Sequence, residues 1–371
     1  MRTIEIWKYK TNEQLLGLEI LTNQNLGTKI VSYSKSGKIY FLSLKGDLLY
    51  ENACTQNTPI WDLKIYNAKI DTLPKLITGG MDGILRVFQI SAPLSLTPLW
   101  DHKFASSISG FLLDDINLDN NFEIIAYSLD KSLRVLQSSN GSLIWGQLFG
   151  DGVEDACIWS DNKLSNKKEI FACSNDGTIK IFEEINGNLK WFKVLSNKIR
   201  CISYLSSNET DFIVCGGDDR DLHIIDKSTQ RETKSISFND YIWKCFSLPF
   251  FKHRKLLISS YSFSYFNQDK KIEDIQFSSK LICLNRNLGV DWELKNINVE
   301  AICQIHKDNQ KFIGIGTTKG ELMVVNATNG QIISKNTQKS CLNGLKYEPN
   351  SNLLISCYSS GHLLAHFLEF N

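Results

Sequence analysis

Five oxygen-bearing residues stand at alternate positions of one short stretch: Asp115, Asn117, Asp119, Asn121 and Glu123. Alternate residues of a curled turn point inward. The side chains of Asp115, Asn117, Asp119 and Glu123, with the carbonyl of Asn121, then form the oxygen cage that a hard cation such as Ca2+ prefers. Asn120 stands where such loops usually carry Gly, and Asn tolerates the left-handed backbone the turn needs. The alternative is a turn in which Asp and Asn cap backbone N–H groups without metal. Calcium held here would be structural, because the loop itself takes every ligand position. The corresponding stretches before and after, "YNAKIDTLPK" and "SDNKLSNKKE", carry Lys where ligands would stand.

Other reactive residue types lack the spacing their chemistry needs. His362 and His366 form "HLLAH", but two His at that spacing bind zinc from a helix, and the pattern here predicts a strand. "CGGDDRD" at 215–221 is rich in Gly, yet no helix follows whose N-terminus would hold an anion. No GxSxG, P-loop or strand–helix GxGxxG occurs. The ten Cys include no CxxC pair; Cys157, Cys173, Cys201, Cys215, Cys245, Cys283, Cys303 and Cys357 lie in apolar strand patterns and read as small core hydrophobes. A non-enzymatic chain is expected, with no cofactor beyond the structural Ca2+ and no small-molecule substrate.

Charge narrows the partners further. Lys and Arg number 41 against 40 Asp and Glu, a net charge of +1, which gives no footprint for nucleic acid. One basic cluster, Lys252-His253-Arg254-Lys255, reads as a solvated hairpin turn. No apolar run is long enough to cross a membrane. The first residues alternate charge and apolarity instead of forming an export signal. With the unpaired thiols, this points to the cytoplasm.

These residues are positioned by a repeat. "LITGGMDGILRVFQI", "IIAYSLDKSLRVLQSSNGSLIW", "IFACSNDGTIKIFEEINGNLKW" and "FIGIGTTKGELMVVNATNGQII" share one register: strand, tight turn, strand, polar turn, strand. Asp-Gly, Lys-Gly and Ser-Gly supply the positive φ of a tight reversal, and alternating apolarity on either side predicts strands. Eight turns can be counted, at Gly37, Gly83, Lys131, Gly177, Arg220, near Ser279, Gly320 and Gly361. A further strand precedes each hairpin, marked by the tetrads "LLGL", "IWDL", "SISG", "VEDA", "IRCI", "IWKC", "VEAI" and "CLNG". The second tetrad residues recur every 42–47 residues apart from one step of 57. Four strands per unit at this period predict an all-β chain, a single closed β-propeller over 1–371 with eight four-stranded blades, seven being the alternative count. The last unit supplies three strands, and the N-terminal segment, about residues 1–12, supplies the fourth and closes the ring.

In such a ring the tetrads line one rim of the central channel. Trp61, Asp62, Glu154, Arg200, Trp243, Lys244 and Glu300 combine large aromatics with mixed charge, the composition of a protein-binding hot spot. Trp61 and Trp243 count as three or five blades apart, depending on direction. The bland alternative is that these Trp pack under loops and the charges pair locally. The long step comes from an insertion at about 263–277, "FSYFNQDKKIEDIQF", whose Phe263, Tyr265, Phe266 and Phe277 make it a candidate contact element.

The repeat register resembles the WD-repeat and PQQ-like propeller superfamilies. The endings "NGSLIW" and "NGNLKW" look like the PQQ-like repeat. The stretch "DINLDNNFEIIAYSLDKSLRVLQSSNGSLIW" resembles integrin-type FG-GAP repeats and the propellers of Bardet–Biedl complex subunits. That likeness implies calcium on Asp115, Asn117, Asp119 and Glu123. It also implies a protein-interaction scaffold, a subunit of a larger cytosolic complex linked to trafficking or a small GTPase. The PQQ-like likeness implies the rival, a small-ligand binder or enzyme using the central channel.

Overall fold

Every strand forms where apolar residues alternate or run together between turn residues, and the burial gradient follows from that pattern. The computed structural model describes residues 2–66, 73–161, 167–207, 210–248, 255–263, 278–307 and 309–370. Among them 32 strands form eight four-stranded antiparallel sheets. Each sheet is a blade whose strands run outward in chain order, except that the outermost strand of the last blade is the N-terminal one. The innermost strands of blades 1 to 8 are Leu15–Asn23, Ile60–Tyr66, Ile108–Asp114, Val153–Ser160, Ile199–Ser206, Tyr241–Leu248, Val299–Lys307 and Leu342–Glu348. Second strands such as Glu123–Ser128 are buried on both faces between neighbouring blades, whereas outer strands such as Leu189–Val194 alternate toward solvent. The eight-blade count holds.

Seven of the eight turns fall where the sequence places them, and the sixth, before Ser279, lies largely outside the described residues. At those seven the residue after the outermost strand donates its N–H to the turn residue's carbonyl, as Leu195 N does to Gly177 O (2.8 Å) and Phe149 N to Lys131 O (2.9 Å); in blade 6, Ile297 N donates to Ser279 O. Lys131 and Arg220 hold φ of 75° and 69° without being Gly. The ring closes as expected. Arg2–Lys10 pairs antiparallel with His362–Glu369 as the outermost strand of blade 8, from Arg2 opposite Glu369 to Lys10 opposite His362.

Blades are joined by indoles. Trp7, Trp100, Trp145 and Trp292, on outermost strands, donate Nε1–H to carbonyls in the outer turn of the next blade: Leu44 (2.8 Å), Ser138 (3.2 Å), Glu184 (2.9 Å) and Ala327 (3.2 Å).

Two frames and one count need correction. Each innermost strand carries a one-residue β-bulge, and the unpaired residues are Leu16, Trp61, Ser109, Glu154, Arg200, Trp243, Glu300 and Asn343. In blades 3 and 8 the tetrads are therefore "ISGF" and "LNGL", one residue later than "SISG" and "CLNG". Trp61 lies in blade 2 and Trp243 in blade 6, so they are four blades apart and face each other across the ring. Tyr265, Phe266 and Phe277 of the insertion and Lys252, His253 and Arg254 of the basic cluster lie outside the described residues.

Candidate functional site

A bulge re-aims a side chain out of the sheet's alternation. Of the eight bulge residues, Trp61, Ser109, Glu154, Arg200 and Trp243 line one end of the channel. Five of the seven rim residues expected from sequence, Trp61, Glu154, Arg200, Trp243 and Lys244, line a single cavity of about 950 Å³ there. Trp61 keeps 41% of its surface exposed. Trp243 is held: Phe263 meets its ring edge-on (5.3 Å), Tyr261 lies against it (5.4 Å), and the Arg200 guanidinium sits 5.3 Å from its centroid. Phe263, the start of the insertion, thus joins the rim through Trp243.

Arg200 is the hub of the charges. Its Nε and Nη2 donate to Asp218 (2.6 and 3.0 Å), and Nη1 lies 3.9 Å from Glu154. Asn175 donates Nδ2–H to Glu154 (2.6 Å). These bonds fix Arg200 over Trp243, so its planar face is presented without the entropy cost of a free side chain.

The other two expected rim residues serve the ring itself. Asp62 accepts from Lys64 (3.0 Å) and from the Phe111 N–H of blade 3 (3.3 Å). Glu300 accepts from the Tyr261 hydroxyl (2.5 Å), and burial raises its carboxyl above the usual range. Asp155, which the sequence places among the rim charges beside Glu154, bridges blades by accepting the Ile202 N–H (3.0 Å). Its carboxyl faces the cavity within a dense protein wall, and burial pushes it up to about 7 against the pull of two N–H groups, Lys244 and Lys64. Lys64, Ser109 and Cys245 also line the cavity and were missed. Ser109 was hidden by the slipped frame of blade 3.

The Asp-rich turn lies away from this mouth, joining the innermost strand Ile108–Asp114 to Glu123–Ser128 at the opposite end of that strand. Asp115 accepts the Asn120 N–H (3.0 Å), Asn117 the Asp119 N–H (3.0 Å), and Asp119 the Asn121 N–H (2.7 Å). Leu118 and Asn120 adopt φ of 61° and 70°. Glu123 is only 3% exposed and accepts the Ile116 N–H (3.0 Å). Burial raises its carboxyl to about 7, and Asp119 and Asp115 push the same way. Asp115 Oδ1 is buried with no hydrogen-bond partner. The donor set suits a hard cation, except that Asn117 turns its Nδ2–H to Asp119 and Glu123 (3.2 Å each) and would have to rotate its amide to ligate. Among the described residues no group of three or more His, Cys, Asp or Glu is arranged to hold a metal. The contrast with blade 4 is informative. Glu169 starts the equivalent strand and is just as buried, but Lys190 and Lys227 (2.8 Å) neutralise it. Among the described residues no ammonium group pairs with Glu123; Lys168 reaches Asp114 (2.9 Å) and the Asp115 carbonyl (2.7 Å).

His362 and His366 sit on one strand, about 13 Å apart at strand rise. His366 is buried and belongs to the blade wall. The Gly-rich "CGGDDRD" is an ordinary blade turn, whose Asp219 accepts from His223 (2.9 Å).

The fold defines an eight-bladed β-propeller with a Trp-flanked, charge-networked channel mouth. The sequence profile of the lambda-carrageenase β-propeller domain family matches residues 134–247, less than half of the chain. No curated protein matches the sequence. Among solved structures the chain is similar to Sqt1 of Saccharomyces cerevisiae (TM-score 0.75, 13% identity, all of both chains covered). It is also similar to the computationally designed Ika8 protein (TM-score 0.72, 15% identity, 98% of this chain and 100% of that one). BamB from Moraxella catarrhalis gives a TM-score of 0.63 at 15% identity, over 100% of this chain and 99% of BamB. At these identities the likeness shows the fold alone. No helix among the described residues is long and apolar enough to cross a membrane.

Proposed function

We propose that this chain is a non-enzymatic protein-binding scaffold, a subunit of a larger cytosolic assembly, and that it docks its partner at the channel mouth between blades 2 and 6. The observation that carries the reading is the facing pair Trp61 and Trp243 across one cavity, with Arg200 locked against the second indole. Two rigid aromatic anchors flanking oriented charges suit a partner segment with an apolar anchor and charged neighbours.

The test is quantitative affinity capture from native lysate with wild type and Trp61→Ala/Trp243→Ala. Each anchor is expected to contribute about 2 kcal/mol, so rim-dependent partners should fall at least about 30-fold. Trp61→Ala alone should leave the melting midpoint close to wild type's, whereas Trp243→Ala also loses packing against Phe263 and Tyr261, so capture is compared at a temperature where both variants are folded. Equal recovery of every partner overturns the rim as docking site. A quinone or flavin absorbance in the purified protein would instead favour the small-ligand reading.

We also infer that the Asp115–Glu123 turn is relieved by either a proton or Ca2+, with Ca2+ as a structural ion. The unpartnered Asp115 Oδ1 and the raised Glu123 carboxyl support this. Glu123 titrates near 7 in the fold against 4.5 when free, so the native state binds the extra proton. Stability from this group is therefore full below pH 4.5, falls as pH rises toward 7, and is gone above it. The loss is at most about 3 kcal/mol, and Asp155 adds in the same direction. Thermal melts should show Glu123→Gln above wild type at pH 8 and level with it at pH 5. Millimolar Ca2+ should raise the wild-type midpoint at pH 8 and leave the variant's unmoved. A midpoint indifferent to Ca2+ and chelator removes the metal.

A further inference from the structure

The channel wall holds a thiol pair that neither the rim network nor the turn uses. Cys201 follows the bulge residue Arg200 on the innermost strand of blade 5, and Cys245 stands two residues after Trp243 on that of blade 6. Their Sγ atoms are 3.1 Å apart. Cys201 is 1% exposed, while Cys245 lines both the mouth cavity and a second one of about 450 Å³ beneath it. Cys245 is partly buried and lies on the channel side, and Cys201 stands directly behind it. Cys173 and Cys215 are buried and line neither cavity, whereas the buried Cys303 of blade 7 lines the second one.

We propose that Cys201 and Cys245 form a reversible disulfide that staples blade 5 to blade 6 at the channel wall, with a small hydroperoxide as the oxidant. The Cys245 thiolate attacks the terminal peroxide oxygen; the O–O bond breaks, an alcohol or water leaves, and Cys245 becomes a sulfenic acid. The Cys201 sulfur then attacks the Cys245 sulfur. The S–S bond forms, the S–O bond breaks, and the departing hydroxide takes the Cys201 proton as water. Two thiols lose one electron each and the peroxide gains both. A dithiol reverses the step by exchange.

The setting also fixes the speed. The hydrogen bond with Cys201 and burial hold the Cys245 thiol well above the ordinary range, so little thiolate exists at neutral pH. Crosslinking should be slow at pH 7 and about tenfold faster at pH 8. The pair joins two blades a few residues from Trp243 and Arg200, but its chemistry holds whether or not the rim binds proteins.

The test is hydrogen peroxide treatment of the intact native protein, followed by alkylation, intact mass and peptide mapping. The expected result is a loss of two hydrogens, one Cys201–Cys245 crosslinked peptide, and full reversal by dithiothreitol. Cys201→Ser should leave Cys245 as a sulfenic acid that a cyclic 1,3-dione traps. Cys245→Ser should abolish the crosslink and leave Cys201 reduced. The wild-type map needs no variant to fold. Oxidation that stops at Cys245, no oxidation of either thiol, or a crosslink through Cys173, Cys215 or Cys303 overturns the proposal.

Discussion

Deleting residues 1–10 is expected to open the ring. The strand Arg2–Lys10 occupies the outer edge of blade 8, and its partner His362–Glu369 carries the buried Leu363, Leu364, Ala365 and Leu368. Trp7 and Tyr9 pack onto the cluster formed by Leu15, Ile30, Leu42 and Ile355, and Trp7 also donates to Leu44 O of blade 1 (2.8 Å). Thr3 accepts from Asn336 Nδ2 of blade 7 (3.0 Å), and Thr11 N donates to Gly361 O (2.8 Å). One strand thus ties blades 7, 8 and 1. Burying Trp7 is worth about 2–3 kcal/mol, and each of the strand's hydrogen bonds adds roughly 0.5–1.5 kcal/mol, so the total exceeds about 5 kcal/mol. A whole domain commonly has only about 5–15 kcal/mol to lose. The truncated chain should aggregate through its exposed edge or melt far below the full chain. A synthetic peptide of residues 2–10 should restore part of the midpoint in trans. A truncated chain that stays monomeric by gel filtration, with an unchanged midpoint, would show that the ring does not depend on this closure.

The closure was legible because strands and turns are local. Seven turn residues could be placed from residue type alone, including Lys131 and Arg220, since the flanking alternation fixes the reversal even without Gly. The bulge was not legible. In "SISG" and "ISGF" a small or apolar residue suits the outer positions of either frame, and only pairing with the next strand shows that Ser109 is the unpaired one. Rim chemistry was half legible. The tetrads named Trp61, Glu154, Arg200, Trp243 and Lys244, but Asp62 and Glu300 proved to bond their neighbours instead. Which carboxylate faces the mouth and which bridges two blades depends on groups 39 to 49 residues away, such as the Tyr261 hydroxyl or the Phe111 N–H. The Asp-rich turn shows the same limit. Its alternate spacing is plain in sequence, whereas the direction of the Asn117 amide and the ammonium groups on Glu169 are facts of packing.

The motif "NG" followed by Trp has a physical reason, and it carries a second large effect. Gly187 sits at φ +68° in the outer turn of blade 4, and a Cβ built on it would stand 2.5 Å from Cδ2 and Cε3 and 3.0 Å from Cγ of Trp145 in blade 3. Gly141 of "NGSLIW" lies under Trp100 in the same way, so each such Gly receives the indole of the preceding blade while its own repeat supplies the next one. Gly187→Val should therefore be damaging twice over. A β-branched residue at that φ costs about 1–3 kcal/mol in backbone strain. Its side chain also collides with the root of a buried ring rather than a flexible tip, which costs a further 1–3 kcal/mol or so and breaks the Trp145 to Glu184 hydrogen bond (2.9 Å). A total of about 4 kcal/mol is expected in denaturant unfolding. Gly187→Ala separates the two terms. In wild type it should carry both strain and collision, and in a Trp145→Ala background it should keep only the strain, about 1–2 kcal/mol. Additive effects in that cycle would mean that the glycine serves its turn alone and that the indole merely rests nearby.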